Sequence, residues 1–113
     1  MSQIINKTPF GIVFKCSKCG KIHIEFNNIN FNFSLEEFRE FSSYLNQLDG
    51  EYWEAKNKDS LFQRKIRIPI GKTLCLLLTS KELSALRNLL KCSPRPVVER
   101  DLITRFFQKQ CYN

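Results

Sequence analysis

The chain contains few glycines and almost no histidine, and it lacks short motifs that mark common enzyme active sites. Its 113 residues include four well-separated glycines and a single histidine, His23. The scattered glycines exclude a phosphate-binding loop of the Gly-x-x-x-x-Gly-Lys type, which cradles phosphate with clustered backbone N–H groups. A Gly-x-Ser-x-Gly nucleophile motif is also absent. Because no catalytic constellation is present, we predict a protein that is not an enzyme.

Long apolar runs are missing as well. No stretch approaches the ~20 apolar residues that a membrane-spanning helix needs. Residues 1–7 contain no apolar segment of signal-peptide length. We therefore expect a cytoplasmic protein without a membrane partner. The length and the hydrophobic fraction of 42% predict a single domain over residues 1–113 with a substantial core.

The five cysteines form an odd set in a chain without an export signal, which favours reduced thiols or metal ligands over a disulfide framework. Cys16 and Cys19 form a Cys-x-x-Cys pair that is followed by Gly20. Such a pair can hold one zinc ion from a single tight turn. Lys18 and Lys21 would stabilise thiolate charge there. The pair therefore predicts a metal site, with zinc as the cofactor.

A closed zinc site needs four ligands, so others must come from elsewhere. His23 has the spacing of a further ligand, and Cys75, Cys92 and Cys111 are additional candidates. Cys75 alternates with leucines, which is more typical of a small buried hydrophobic residue. A homodimer in which each copy contributes its Cys-x-x-Cys pair would also supply four thiolates.

Two other interpretations of the Cys-x-x-Cys pair are thiol redox chemistry and unligated thiols in a turn. Redox pairs usually lie where a strand enters a helix, because the helix N-terminus lowers the pKa of the first thiol. Here the sequence predicts a strand after the pair. The context therefore favours metal binding over redox chemistry.

An internal repeat organises the chain. Residues 21–26 (KIHIEF) match residues 65–70 (KIRIPI) at a constant offset, and residues 34–38 match residues 79–83 after one inserted residue. The apolar alternation of period two predicts two strands in the first half and a strand at residues 65–70 in the second. Residues 74–78 (LCLLL) predict a further strand that is apolar on both faces, which implies that it is covered on both sides or that a partner subunit buries one side. Asn27-Asn28 predicts a tight turn in the first hairpin, and Gly71-Lys72 predicts a type II′ turn in the second.

Each half then continues into an amphipathic helix. The pairs Ser34/Glu37 and Thr79/Glu82 have the spacing of a capping box, which marks a helix start. The repeat units therefore span residues 21–48 and 65–92, and each reads strand, turn, strand, helix. We predict an α+β fold in which helices pack on an antiparallel sheet of four to five strands.

The flanking segments complete this prediction. Residues 10–15 read as a strand that enters the cysteine turn. Residues 49–64 are charged and lack a clear period, which indicates a long connection. Residues 98–109 carry a helical apolar pattern and predict an extra C-terminal helix.

The net charge of +7 is unevenly distributed. Residues 35–63 are acidic, with a net charge of −4, whereas residues 64–113 carry +8. Four basic residues lie on or beside the second predicted hairpin: Arg64, Lys65, Arg67 and Lys72. Cations of this kind can contact nucleic-acid phosphates, although few exposed aromatic residues are interleaved with them. A solvated basic surface is the simpler interpretation.

The segments 16–26 (CSKCGKIHIEF) and 33–38 (FSLEEF) resemble a family of small bacterial proteins of unknown function. That family has a CxxCGK turn, a hydrophobic hairpin and a Glu-Phe helix start. The resemblance covers residues 10–48 well and the remainder loosely. It implies a small bacterial cytoplasmic protein and carries no activity with it.

We conclude that the sequence predicts a non-enzymatic binding or interaction module, stabilised by a metal ion at Cys16 and Cys19. A nucleic-acid-associated protein and a thiol-redox protein are the alternatives.

Overall fold

The computed structural model of the protein describes residues 3–91. Six strands and three helices follow one another in this part of the chain: β1 (Gln3–Thr8), β2 (Gly11–Lys15), β3 (Ile22–Phe26), β4 (Ile29–Phe33), α1 (Leu35–Gln47), α2 (Gly50–Lys56), β5 (Ile66–Pro69), β6 (Cys75–Leu78) and α3 (Ser80–Leu89). The predicted α+β class is confirmed, and so is the strand-strand-helix order of both repeat units. No helix in residues 3–91 combines the length and apolar character needed to cross a bilayer.

The first four strands form an antiparallel meander in the order β1-β2-β3-β4. Alternate residues of β3 are buried or point outward, so Ile22, Ile24 and Phe26 face the core whereas His23 and Glu25 do not. This is the period-two pattern that the sequence predicts. Strand β1 was not predicted, because its polar side chains and the bulge between Ile4 and Asn6 interrupt the alternation.

The second hairpin, β5-β6, is a separate two-stranded antiparallel sheet. Its inward residues nevertheless join those of the first sheet and of α1 and α3 in one cluster of buried hydrophobic side chains. Helix α3 contacts β1, β2 and β6, and it also contacts both other helices. The α3 helix therefore connects the two sheets within a single core.

Both predicted capping boxes are present. The Ser34 hydroxyl accepts from the backbone N–H of Glu37, and the Glu37 carboxylate accepts from the Ser34 N–H at 2.8 Å. Thr79 and Glu82 repeat the arrangement at the start of α3. Each box satisfies backbone donors that a helix start would otherwise leave unpaired, and thereby fixes where the helix begins.

The two hairpin turns differ from each other. Asn27 adopts a φ of +54°, as the prediction for the first turn requires. The predicted two-residue type II′ turn at Gly71-Lys72 is wrong, because Gly71 has no positive φ and the N–H of Ile70 bonds to the carbonyl of Leu74. The second loop thus spans residues 71–73, and the inserted residue of the repeat lies in it.

The connection 49–64 contains a short helix that the sequence pattern did not reveal. Helix α2 has no fully buried residue. Its sequence therefore shows no apolar stripe of helical period from which the helix could have been predicted. Its start is marked by Asp49, whose carboxylate accepts from the N–H of Tyr52 at 3.2 Å. The predicted C-terminal helix over residues 98–109 lies outside the described residues.

Candidate metal centre

The cysteine turn connects β2 to β3 at one end of the four-stranded sheet. Two backbone hydrogen bonds close it: the N–H of Gly20 donates to the carbonyl of Cys16 at 2.9 Å, and the N–H of Cys16 donates to the carbonyl of Lys21 at 3.0 Å. Gly20 has a φ of +72°, which glycine adopts at little cost. The turn therefore holds Cys16 and Cys19 on one tight loop.

Three potential metal ligands converge at this turn. The Sγ atoms of Cys16 and Cys19 and a ring nitrogen of His23 all lie within 4.8 Å of one another. The distance between Cys19 Sγ and His23 Nε2 is 3.4 Å. Tetrahedral zinc, with usual bond lengths to sulfur and imidazole nitrogen, separates two such ligands by about 3.6 Å. The donor set thus fits a thiophilic divalent ion.

The imidazole of His23 is held by its neighbours on the outer face of the sheet. His23 pairs across strands with Asn32 of β4 and with Phe14 of β2. Asn32 Oδ1 lies 2.5 Å from His23 Nδ1, and the Phe14 and His23 rings are 5.1 Å apart. Because a carbonyl oxygen only accepts, this bond places the proton on Nδ1 and leaves the Nε2 lone pair directed towards the sulfurs.

Asn32 and Phe14 were not among the predicted site residues. The signal that would have found them is the hairpin register, because His23 and Asn32 occupy facing positions once the turn is placed at Asn27-Asn28. Hydrogen bonding of the second imidazole nitrogen is a general feature of histidine ligands to metals.

The electrostatics of the turn favour a thiolate. The pKa of Cys16 is lowered to about 6, chiefly because the backbone N–H of Cys19 donates to its sulfur. That donor lies 3.5 Å from Cys16 Sγ. The Cys19 thiol and the backbone N–H of Lys18 act in the same direction. A thiol that ionises this readily is suited to binding a metal ion.

The other candidate ligands are not part of this cluster. Cys75 lies on β6 in the second hairpin, where it is half-buried and its Sγ contacts the carbonyl oxygen of Leu76 at 3.9 Å. Cys92 and Cys111 lie outside the described residues. Among residues 3–91 the metal-ligand cluster therefore consists of Cys16, Cys19 and His23.

The four basic residues of the nucleic-acid hypothesis are divided by the structure into two pairs. The Arg64 guanidinium pairs with the Glu82 carboxylate at 2.8 Å. The Lys65 ammonium donates to the carbonyl of Ser60 at 2.8 Å and also to the carbonyl of Phe62. Arg67 and Lys72, in contrast, line a common groove together with aromatic residues.

The fold and the cluster define the class: an α+β protein whose sheet carries a Cys/Cys/His group that could hold a metal ion. The chain belongs to the family described as "Family of unknown function (DUF6686)", whose model matches residues 1–105. The predicted resemblance to a family of unknown function is thus confirmed. No curated protein and no solved structure matches the chain.

Proposed function

We propose that this protein is a small, non-enzymatic binding module whose cysteine turn holds one zinc ion through Cys16, Cys19 and His23. The observation that carries the proposal is the convergence of the three donor atoms within 4.8 Å. The hydrogen bond from His23 Nδ1 to Asn32 supports it, because that bond presents Nε2 to the ion.

The position of the cluster supports a structural or binding role over catalysis. Cys19 is exposed and Cys16 is half-buried on a surface turn. The grooves of about 550 and 440 Å³ among residues 3–91 are lined by other residues. Catalytic zinc sites lie in clefts that hold a substrate beside the ion, whereas this ion would lie at the end of a hairpin.

The proposal is tested by native mass spectrometry and elemental analysis of untagged protein. We expect one zinc per chain, lost in Cys16→Ser and in Cys19→Ser. Cys75→Ser is the matched control, since it removes a thiol outside the cluster, and it should retain the metal. One zinc per dimer would indicate instead that each copy contributes Cys16 and Cys19 to a shared site of four thiolates. A stable protein that contains no metal would contradict the proposal.

Thiol redox chemistry is the second candidate, favoured by the pKa of about 6 of Cys16. An accessible thiolate beside a second thiol can be oxidised to a disulfide by an external oxidant. Metal-free protein with a Cys16–Cys19 disulfide that forms within seconds of mild oxidant addition would favour this function over zinc binding. Zinc-loaded protein should resist the same oxidant, because both sulfurs are then ligands.

A further inference from the structure

A second candidate site is lined by residues that are not part of the cysteine turn. A groove of about 440 Å³ is formed by the end of α1, by α2 and by the β5-β6 hairpin. Tyr44 and Trp53 contribute aromatic side chains to it, and Arg67 and Lys72 contribute positive charge. We call this site the aromatic groove. Its volume is in the range of small-molecule binding sites.

The charge in the aromatic groove is of one sign. Arg67 and Lys72 are its charged lining residues, and no acidic residue joins them. The Lys56 ammonium lies over the Trp53 ring, 4.9 Å from its centre, so it adds positive charge beside the groove and a base that stacks on that face of Trp53 must displace it. The nearby Glu54 carboxylate is engaged elsewhere, where it accepts from the N–H of Ser80. The lining of the groove therefore favours an anion, whereas Glu37 and Glu40 line an adjoining groove that shares Tyr44.

The larger groove, of about 550 Å³, lies between the turn of the first hairpin and strand β6, and it is electrostatically different. It is lined by Arg64 together with Glu82, and these two residues form an ion pair. Its positive charge is therefore neutralised within the protein. The aromatic groove differs from this groove because its cations, Arg67 and Lys72, form no ion pair within residues 3–91 and lie beside the aromatic side chains of Tyr44 and Trp53. The aromatic groove is therefore the candidate binding site.

The chemistry of the aromatic groove defines its ligand. Aromatic side chains stack with the faces of nucleobases, and cations bind the phosphates between them. In a duplex the base faces are already stacked on one another, so such a groove suits a single strand. We propose that the aromatic groove binds a nucleotide of single-stranded nucleic acid, with the base against Tyr44 and Trp53 and the phosphates at Arg67 and Lys72.

This inference goes beyond the proposed zinc site and does not depend on it. Arg67 and Lys72 were already candidate phosphate-binding residues in the sequence-based nucleic-acid hypothesis. In the proposed site, Tyr44 and Trp53 take the place of Arg64 and Lys65. Tyr44 is 41% exposed, so part of its ring is accessible to a base.

The chain contains a built-in reporter, because Trp53 is its single tryptophan. The full-length protein is titrated with a short oligo(dT) strand at two salt concentrations, and tryptophan emission is followed. We expect quenching, with an affinity that falls as salt rises at a log–log slope of about −1.4, as about two single-strand phosphate contacts imply. Absence of quenching and of binding would overturn the proposal.

Matched variants separate a built site from general charge. Arg67→Gln combined with Lys72→Gln should weaken binding about ten-fold or more. The control, Lys58→Gln combined with Lys81→Gln, removes the same charge from exposed positions outside the groove and should weaken it about two-fold or less. Equal losses in the two double variants would overturn the proposal in favour of non-specific attraction.

Stacking is tested separately with Tyr44→Ser, which removes a ring from a partly exposed position. We expect about a five-fold or greater loss of affinity, with the salt dependence unchanged because the cations remain. Unchanged affinity would overturn the assigned role of Tyr44. Binding of duplex DNA or free thymidine monophosphate as tightly as the strand would overturn single-strand recognition.

Discussion

The two halves of the molecule share a sequence pattern but carry different chemistry on it. In each half a hairpin leads into a helix that starts with a capping box. The inward positions of both hairpins are apolar and join one core. The outward position between the first two core residues is His23 in β3 and Arg67 in β5, which match in the repeat. The inward pattern thus fixes the fold, whereas the outward positions are available for different ligands.

The helices of the two repeat units, α1 and α3, also contribute unequally to the core. Helix α1 buries Phe38 and Leu45, whereas α3 buries four residues although it is shorter. The reason is position, because α3 contacts both sheets while α1 lies beside β4. Equivalent positions of the repeat are therefore not energetically equivalent.

The largest expected effect is on the free energy of unfolding, and it compares Leu86 of α3 with Phe41 of α1, which occupy matching positions of the repeat. Leu86 is fully buried, whereas Phe41 is only partly buried against Phe31 and Phe33. Leu86→Ala should lower the free energy of unfolding by about 2–5 kcal/mol through lost burial and a residual cavity. Phe41→Ala should cost less despite its larger side chain, because water can enter the space. Urea unfolding measures both, and a larger loss in Phe41→Ala would contradict the inequality.

A smaller effect is expected at the outward positions of the first hairpin. Asn32→Ala removes the acceptor that orients His23 and should weaken zinc binding about ten-fold, as loss of such partners usually does. Asn30→Ala, on the same face of β4, is the control and should leave zinc affinity within about two-fold. Competition with a chromophoric chelator measures both affinities. Equal affinities in the two variants would show that Asn32 does not orient the ligand.

The smallest effect is the pH dependence of the two capping boxes. The pKa of Glu82 is lowered chiefly by the Arg64 guanidinium, and the pKa of Glu37 is lowered chiefly by the Ser34 N–H. A lowered carboxyl pKa in the folded state contributes stability above the ordinary value of 4.5. That contribution is lost as the pH falls through the folded-state pKa.

Glu82→Gln should therefore destabilise the protein at about pH 6 and by less at about pH 3. Glu37→Gln should show the same sign with a smaller amplitude, because Glu37 has no arginine partner comparable to Arg64 among its hydrogen bonds. Urea unfolding at both pH values measures the difference. If the loss of stability in Glu82→Gln were larger at about pH 3 than at about pH 6, the lowered pKa of Glu82 would be contradicted.

The sequence predicted those parts of the fold that depend on local periodicity and capping. The alternation of β3, β4 and β5 and the two capping boxes appear where expected. Strand β6 also lies where expected, but its outward residues are only half-buried, so it is not covered on both faces within residues 3–91. Strand β1 was missed because its pairing is bulged, and α2 because it buries no residue. Neither segment shows a regular apolar period, so both depend on tertiary contacts that sequence spacing does not encode.

The candidate metal centre was predictable in part for the same reason. Cys16, Cys19 and His23 are close in sequence, and their spacing identifies them. Asn32 reaches His23 only through the register of β3 and β4. The aromatic groove combines Tyr44, Trp53 and Arg67 from three different elements, and no sequence spacing brings these residues together.

The closeness of Cys16, Cys19 and His23 in the chain has a consequence for folding. An ion that joins positions 16 to 23 closes a short loop, which costs little chain entropy even before the protein has folded. The unfolded chain would then retain appreciable zinc affinity, and binding to both states reduces the stabilisation of the folded one. Zinc would therefore mainly change the order in which the strands form during folding. The β2-β3 hairpin would form early, and β1 and β4 would then pair with its edges.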